Sequence, residues 1–164
     1  MQRESKIKSH LQACMEQVEK WKQDSLTIVF TNGCFDLIHP GHISYLRSAK
    51  ALGDKLVLGI NTDNSVSKLK GVGRPILKLE DRLAVLEALE MIDLLISFDE
   101  DTPIKLIEKI KPHFLVKGGD YKIEEIVGAN EVRSYGGKVL SLNLVQGVST
   151  TRIIDHIVKN FGND

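Results

Sequence analysis

The sequence predicts an α/β fold in which a parallel five-stranded sheet carries helices on both faces. Two observations support this prediction: short apolar runs alternate with segments of helical period from residue 26 onward, and 42% of the 164 residues are apolar, which is enough for one ordinary core. Repeated β-α-β units make the strands parallel, because each helix returns the chain to the same edge of the sheet. Ligands of such sheets bind beyond the carboxyl ends of the strands, so the residues that follow strands are the candidates for function.

The first element is an amphipathic helix over residues 5–22. Its apolar residues recur at helical spacing, and they are Ile7, Leu11, Cys14, Met15, Val18 and Trp21. Asp24 and Ser25 break the pattern, so the chain divides into a helical extension (1–24) and a main domain (25–164). The narrow apolar stripe must be covered, either by the main domain or by a second subunit, and we therefore expect a homodimer.

The main domain alternates five strands with six helical segments. The predicted strands are Leu26–Phe30, Lys55–Ile60, Asp93–Phe98, Phe114–Val116 and Lys138–Leu142. The predicted helical segments are Ile43–Leu52, Asn64–Leu69, Glu80–Glu90, Thr102–Ile110, Glu124–Tyr135 and Thr150–Val158.

The composition excludes several classes of protein. The formal net charge is zero, so the chain as a whole has no strong attraction to nucleic acid or to a membrane surface. The two cysteines lack a C-x-x-C spacing, which favours a reduced, intracellular protein. The N-terminal residues lack the apolar core of a signal peptide, and no apolar run is long enough to cross a bilayer. We therefore expect a cytoplasmic location.

The turn after the first strand carries the most informative pattern. Its sequence is TNGCFDLIHPGH, in which Gly33 permits a tight turn and His39-Pro40-Gly41-His42 opens a helix. A helix N-terminus with free N–H groups and two imidazoles favours an anion such as phosphate. Zinc is a poorer interpretation, because zinc helices place histidines four apart and need a third ligand. A plain cap with one surface histidine remains the structural alternative.

Three other strand ends carry polar or flexible residues. After the second strand, Asn61 is followed by a loop with three cations and two glycines, and the cations are Lys68, Lys70 and Arg74. The fourth strand is followed by Lys117–Tyr121, whose paired glycines allow backbone to contact a flat ligand. The fifth is followed by Ser149–Thr151, which start a helix and suit either a second anion site or a simple cap. The P-loop and G-x-G-x-x-G motifs are missing, which disfavours P-loop hydrolysis and dinucleotide redox chemistry.

Several of these segments resemble the cytidylyltransferase-like nucleotidyltransferases. The resemblance rests on GCFDLIHPGH, EDRLAVLEAL and GVSTTRII, and the H-x-G-H motif is similar to that of class I aminoacyl-tRNA synthetases. Within this group, LKGVGRPI, SFDEDTP, LVKGGDY and GVSTTRIIDHI resemble the D-glycero-β-D-manno-heptose 1-phosphate adenylyltransferases. The resemblance covers about Leu26 to Ile157 and implies a Rossmann-like fold. It also implies transfer of AMP from ATP to a sugar 1-phosphate, with Mg²⁺ assisting and with ADP-heptose and pyrophosphate as products.

The resemblance also assigns roles to individual residues. The catalytic set that it implies is His39, His42, Lys68 and Arg82, with Lys70 as the alternative to Lys68 for holding phosphates. The nucleotide-binding set is Thr31, Asn32, Gly33, Cys34, Phe35, Gly41, Asn61, Lys70, Lys117, Gly118, Gly119, Asp120, Ser149, Thr150 and Thr151. No metal is expected to be held by protein ligands alone. The implied partners are ATP and a sugar phosphate, with no nucleic acid and no membrane.

The sequence departs from two sibling branches at one position. Enzymes that act on glycerol 3-phosphate or phosphocholine carry an R-T-E-G segment, whereas this chain has Leu144-Val145-Gln146-Gly147 without the arginine. The departure disfavours a cytidylyltransferase and leaves open which cation replaces the arginine. A cytidylyltransferase and a nucleotide-binding module without turnover remain the alternative functions.

Overall fold

The computed structural model describes residues 5–8, 10–119 and 121–162, and within them it forms one parallel sheet of six strands. The strands are β1 (Ile7–Lys8), β2 (Ile28–Gly33), β3 (Lys55–Asn61), β4 (Leu94–Phe98), β5 (Phe114–Gly118) and β6 (Lys138–Leu142). Their spatial order is β1-β4-β3-β2-β5-β6, and every neighbouring pair is parallel. The predicted parallel α/β fold is confirmed, although the predicted number of strands is one too low.

The additional strand lies where the sequence predicted the start of a helix. Ile7 pairs with Leu95 at the edge of the sheet, and helix α1 begins only at Leu11 and ends at Gln23. A strand of two residues is too short to show a period of two, so the helical pattern of the following residues concealed it. His10 caps α1, because its Nδ1 accepts a hydrogen bond of 3.2 Å from the backbone N–H of Ala13.

The apolar stripe of α1 is covered by the same chain. Cys14 and Val18 have no exposed surface and belong to the core beneath α1, against which Trp21 also packs. This stripe therefore needs no second subunit to cover it.

The remaining helices cover both faces of the sheet. They are α2 (Pro40–Lys50), α3 (Asp63–Lys70), α4 (Leu79–Glu87), α5 (Ile104–Ile110), α6 (Ala129–Ser134) and α7 (Thr150–Phe161), and Ile123–Glu125 form a 3₁₀ turn. Buried residues of α2 and α4 share one core cluster, whereas those of α1, α5 and α6 share the other. In the described part of the chain, no helix combines the length and the apolar character that crossing a membrane requires.

One predicted helix is divided in two. The segment predicted over residues 124–135 breaks at Gly128, whose φ of 89° lies in the left-handed region. A Cβ at this position would lie 2.5 Å from Cδ1 of Ile107, so only glycine fits between the 3₁₀ turn and α6.

The order of the strands reverses beside β2. The chain proceeds from β2 through β3 to β4 in one direction and then returns to add β5 and β6 on the other side of β2. Such a reversal opens a crevice at the carboxyl ends of the two strands that flank it, here β2 and β5. The H-P-G-H turn follows β2, and Lys117 and Gly118 end β5, so both predicted segments meet at this crevice.

Candidate active site

A cleft of about 590 Å³ lies at the carboxyl ends of β2 and β5. Most of the residues that line it come from the ends of β2, β3 and β5, the first turns of α2 and α7, the last turn of α3, and the loops after α3 and before α7. The predicted site residues among them are Asn32, Gly33, Cys34, Phe35, Gly41, His39, His42, Asn61, Lys70, Lys117, Gly118, Ser149, Thr150 and Thr151.

The two histidines form one stacked unit at the start of α2. His39 is the N-cap with an extended backbone, and Pro40 occupies the first helical position, where its missing N–H costs nothing. The imidazole centroids of His39 and His42 are 3.8 Å apart, and the rings are inclined by 27°. A Cβ on Gly41 would lie 2.9 Å from Cε1 and 3.0 Å from Nδ1 of His39, so the glycine leaves the space that this ring occupies.

Both imidazoles are neutral at pH 7. Burial, followed by the proximity of His39, lowers the pKa of His42 to about 4 although Asp36 acts in the opposite direction. Burial also lowers the pKa of His39. The backbone N–H of His39 makes a long hydrogen bond of 3.4 Å to Nδ1 of His42, which favours the tautomer with the proton on Nε2. His42 therefore offers an N–H donor rather than a positive charge.

The ring of His39 has an unused polar atom. Its Nδ1 is buried and has no hydrogen-bond partner in the described part of the chain. A buried polar atom without a partner is costly, and such atoms are rare in folded proteins. Because Nδ1 of His39 is shielded from solvent, a ligand could reach it only if the imidazole turned.

Three cations face the cleft, and one of them is largely buried. Nζ of Lys117 lies 3.4 Å from both the backbone oxygen and Oδ1 of Asn32, and no carboxylate within the described ranges forms an ion pair with it. Burial, together with repulsion from Lys70, lowers the pKa of Lys117, although Cys34 acts against this shift. An ammonium group that is buried without a counter-charge favours the binding of an anion. Lys70, the last residue of α3, and Arg74, in the loop that follows, add positive charge.

The first turn of α7 closes another side of the cleft. Oγ of Ser149 accepts a hydrogen bond of 3.2 Å from the N–H of Arg152, and the hydroxyl of Thr150 donates to the backbone oxygen of Asp36 at 2.8 Å. Thr151 is exposed and lines the cleft. The first N–H groups of a helix have no partners within the helix, so this turn can receive a phosphate oxygen.

Five predicted site residues do not line the cleft or cannot be placed. Thr31 is fully buried, and its hydroxyl lies 2.6 Å from that of Tyr45. Arg82 is fully buried and makes its hydrogen bonds inside the protein. Lys68 lies near Asp99, on the side of α3 that does not line the cleft. Gly119 is in the left-handed region beside the Tyr121 ring, and Asp120 lies outside the described residues.

The structure adds an aromatic side chain that the sequence analysis did not single out. Tyr45 lines the cleft, donates to the backbone oxygen of Val116 at 3.2 Å, and has its pKa raised to about 12 by burial. A Cβ on Gly118 would lie 3.1 Å from the Tyr45 ring, which explains a glycine at the end of β5. The sequence spacing could have predicted this position, because Tyr45 follows His42 by three residues and therefore lies on the same face of the helix.

A group of apolar side chains also lines the cleft. It comprises Leu144, Val145 and Val148 from the loop before α7, together with Leu69 and the ring of Tyr121. Leu144 and Val145 remain 51% and 42% exposed. Exposed apolar residues in a loop beside a polar cleft suit a flat, partly apolar ligand such as a nucleobase. Apolar residues within a loop could have indicated a binding surface from the sequence. An analysis of helix and strand periods does not detect them, because the loop has no period.

Comparisons with known proteins agree with the fold and identify the family. Residues 30–156 match the model of the cytidylyltransferase-like family. The bifunctional protein HldE of Gluconobacter oxydans (strain 621H) is 54% identical over 137 residues, which are 84% of this chain and 29% of that protein. HldE of Pseudomonas aeruginosa (strain LESB58) is 50% identical over 147 residues, or 90% of this chain and 31% of that protein. The chain thus spans less than a third of the length of these relatives.

Two solved structures share the fold. A lipopolysaccharide core biosynthesis protein from Thermoplasma volcanium GSS1 has a TM-score of 0.61 and 29% identity, over 73% of this chain and 97% of that one. A pantoate-beta-alanine ligase from Francisella tularensis, complexed with beta-gamma ATP and beta-alanine, has a TM-score of 0.56 over 96% of this chain and 79% of that one. At 15% identity, this second likeness shows the fold alone.

Proposed function

The chain belongs to the cytidylyltransferase-like family, and we propose that it transfers AMP from ATP to D-glycero-β-D-manno-heptose 1-phosphate. The products are ADP-heptose, a lipopolysaccharide precursor, and pyrophosphate. The observation that carries the proposal is the combination of side chains that line one cleft. Two neutral, stacked imidazoles line it together with the ammonium group of Lys117, which has no carboxylate partner in the described ranges. The choice of acceptor rests on LVKGGDY and the other segments that resemble the heptose branch.

The chemistry requires no general base. A phosphate oxygen of the sugar phosphate, already ionised at neutral pH, attacks the α-phosphorus of ATP, and a new P–O bond forms. The bond between the α-phosphorus and the bridging oxygen breaks in line, and its electron pair leaves with pyrophosphate. Catalysis is then mainly the positioning of the two phosphates and the stabilisation of charge on the transferred group.

The residues of the cleft suit these tasks. His42 donates from Nε2 to an oxygen of the α-phosphate, and the ring of His39 stacks against it. Lys70 and Arg74 neutralise the outer phosphates, which leave as pyrophosphate. Lys117 takes the place of the arginine that sibling branches carry after the fifth predicted strand, because it is a cation without a carboxylate partner in the described ranges.

The residues of the cleft also fit Mg²⁺ that is bound mainly by the nucleotide. In the described ranges, no three His, Cys, Asp or Glu side chains gather as a metal site. Mg²⁺ commonly keeps several waters and binds to substrate phosphates with few protein ligands. When bound, it supplies charge neutralisation on the outer phosphates of ATP.

The acceptor and the nucleotide are tested together by measuring pyrophosphate release. Purified protein is supplied with ATP or CTP, each with heptose 1-phosphate, with glycerol 3-phosphate, or alone. We expect rapid release only with ATP and heptose 1-phosphate. His42→Ala should abolish most of it, whereas His156→Ala, on the exposed face of α7, serves as the matched control.

Other outcomes of this assay would overturn the proposal. Release with CTP and glycerol 3-phosphate would indicate the sibling cytidylyltransferase. Nucleotide binding without release with any acceptor would indicate a module that binds nucleotide without turnover.

We also propose that α7 forms a homodimer with the α7 of a second copy. None of its residues is buried, and Ile157, Val158 and Phe161 are 49%, 62% and 73% exposed on one face. Sedimentation should find a dimer that Phe161→Glu dissociates, and a monomeric wild type at high concentration would contradict it.

A cytoplasmic location is proposed on the state of the cysteines. Cys14 and Cys34 are both free. Burial raises the pKa of Cys14 to about 12 and also raises that of Cys34, so both are protonated thiols at neutral pH. Free thiols favour a reducing compartment. Fractionation of cells that express the protein tests the location, and recovery outside the cytoplasm would contradict it.

A further inference from the structure

A buried carboxylate joins the H-P-G-H turn to the cation-bearing loop. Asp36 is only 2% exposed. Its Oδ2 accepts from Nε of Arg74 at 2.9 Å and from the N–H of Ile76 at 2.8 Å, and its Oδ1 accepts from the N–H of Leu77 at 3.1 Å. Burial alone would raise the pKa of Asp36, but these two N–H groups and Arg74 outweigh it and hold the pKa below its ordinary value. The carboxylate is thus ionised and fully engaged.

A buried guanidinium joins the same two segments from the other side. Arg82 has no exposed surface, and its Nη1 donates to the backbone oxygen of Cys34 at 2.6 Å. Its Nε donates to the backbone oxygen of Leu77 at 3.2 Å, and its Nη2 to Asp63 at 2.8 Å. Leu77 is therefore held at its N–H by Asp36 and at its C=O by Arg82.

The loop between these anchors and α3 has few contacts of its own. Gly71 and Gly73 have φ values of 93° and 84°, and a Cβ at either would have no neighbour within 4 Å. Val72 between them is fully exposed. Lys70 and Arg74 stand on either side of this unpacked stretch and line the cleft. The positions of both cations therefore depend on what holds the two ends of the loop. Helix α3 holds one end, and Asp36 and Arg82 hold the other end at Leu77.

Asp36 also fixes the third wall of the cleft. Its backbone oxygen accepts the hydroxyl of Thr150 at 2.8 Å, which ties the first turn of α7 to the same residue. The neighbours of Asp36, Phe35 and Leu37, both have φ values in the left-handed region, at 47° and 39°. Non-glycine residues hold this conformation only where surrounding contacts impose it, so the turn is set by its bonds rather than by its local preference.

We propose that Asp36 and Arg82 are positioning residues that together hold the loop of Lys70 and Arg74 against the imidazoles of the active site. The inference rests on the proposed function, because it assigns these cations to the phosphates of ATP. Neither side chain needs to touch the substrate: Arg82 does not line the cleft, and the carboxylate of Asp36 is occupied by three donors.

The test compares Asp36→Asn with a matched control. In Asp36→Asn, an amide nitrogen replaces one carboxylate oxygen and faces N–H donors, which releases one side of the loop. Asp93→Asn is the control, because Asp93 also accepts from a backbone N–H (Leu56, 2.7 Å) and a cation (Lys50, 2.6 Å) but lies away from the cleft. Both variants should lose some thermal stability.

The two variants should differ in three quantities that depend on the loop: hydrogen exchange of its amides, ATP affinity and kcat/KM. For Asp36→Asn we expect faster hydrogen exchange at the amides of Ile76 and Leu77, ATP affinity lower by about tenfold, and kcat/KM lower by about a hundred-fold. Asp93→Asn should keep wild-type values for all three. A purely structural role would instead lower the stability of both variants alike and leave ATP affinity and kcat/KM of the folded protein unchanged, which would overturn the proposal.

Arg82→Lys provides an independent measurement. Lysine keeps the positive charge but cannot make all three hydrogen bonds of the guanidinium, so the same loss of ATP affinity is expected. Should Asp36→Asn fail to fold, wild-type ATP affinity in Arg82→Lys would overturn the proposal. Amide exchange and ATP affinity do not involve the acceptor. If the wild type released no pyrophosphate with heptose 1-phosphate, the proposed function would fail, while these two measurements would still decide the positioning role.

Discussion

The neutral state of His42 makes a prediction about stability as well as catalysis. The pKa of His42 is lowered from an ordinary value of 6.5 to about 4 in the folded protein, chiefly by burial. Between these two values the unfolded chain binds more protons than the folded protein does. Stability from this residue is therefore fully present above pH 6.5 and is lost as the pH falls toward 4.

The size of the effect follows from the two pKa values. At pH 5 an unfolded histidine is almost entirely protonated, whereas His42 in the folded protein is about nine-tenths neutral. The linkage relation then gives a loss of about 2 kcal/mol at pH 5 relative to pH 7.5, which is an upper bound because part of the ring is exposed. His39 acts in the same direction, so the contribution of His42 must be isolated by substitution.

Urea unfolding of the wild type and of His42→Asn at pH 7.5 and pH 5 measures this contribution. Asparagine does not titrate, and its amide oxygen can replace Nδ1 as the acceptor for the N–H of His39. We expect the wild type to lose up to about 2 kcal/mol more than His42→Asn when the pH falls to 5. His156→Asn, at an exposed histidine of α7, controls for the substitution of a histidine by asparagine.

An equal pH dependence in the wild type and in His42→Asn would refute this reasoning. It would mean that His42 gains a proton in the folded protein as easily as in the unfolded chain. The pKa of His42 in the folded protein would then equal its ordinary value, and burial would not be what keeps the imidazole neutral.

Three further substitutions test the cleft. Gly41→Ala places a methyl group 2.9 Å from Cε1 of His39, so kcat should fall by about a hundred-fold in pyrophosphate release while the urea midpoint changes little, and a wild-type kcat would show that the ring position is unimportant. Lys117→Met removes a buried charge that has no carboxylate partner in the described ranges. It should raise KM in the same assay without lowering the free energy of unfolding, and an unchanged KM would exclude Lys117 from substrate binding. Lys70→Ala should weaken ATP binding in a nucleotide titration, whereas Lys68→Ala should not, and the reverse result would place the phosphate contact on Lys68.

The fold was predictable because its signals are local. The strands β3 and β6 begin where the sequence predicts, and β6 also ends there, since the apolar runs are bounded by polar residues or glycine. Strand β2 continues to Gly33, three residues beyond its apolar run, because Asn32 and Gly33 still pair with Gly59 and Ile60 of β3. Pairing of this kind depends on the neighbouring strand and leaves no period in the sequence.

The placement of Arg82 was not predictable from its motif. The EDR segment indicates a residue near the active site, but it does not indicate which way the guanidinium points. Its acceptors include the backbone oxygen of Cys34, which is 48 positions away in the sequence. A backbone oxygen has no residue type, so no sequence pattern could reveal this contact. The same holds for the bond between Thr150 and the backbone oxygen of Asp36.

The most direct test of the account is a crystal structure with ATP and Mg²⁺. The account predicts that the α-phosphate lies within hydrogen-bond distance of Nε2 of His42, with the outer phosphates between Lys70, Arg74 and the first turn of α7. A triphosphate bound elsewhere, with both rings directed away from it, would contradict the proposed active site.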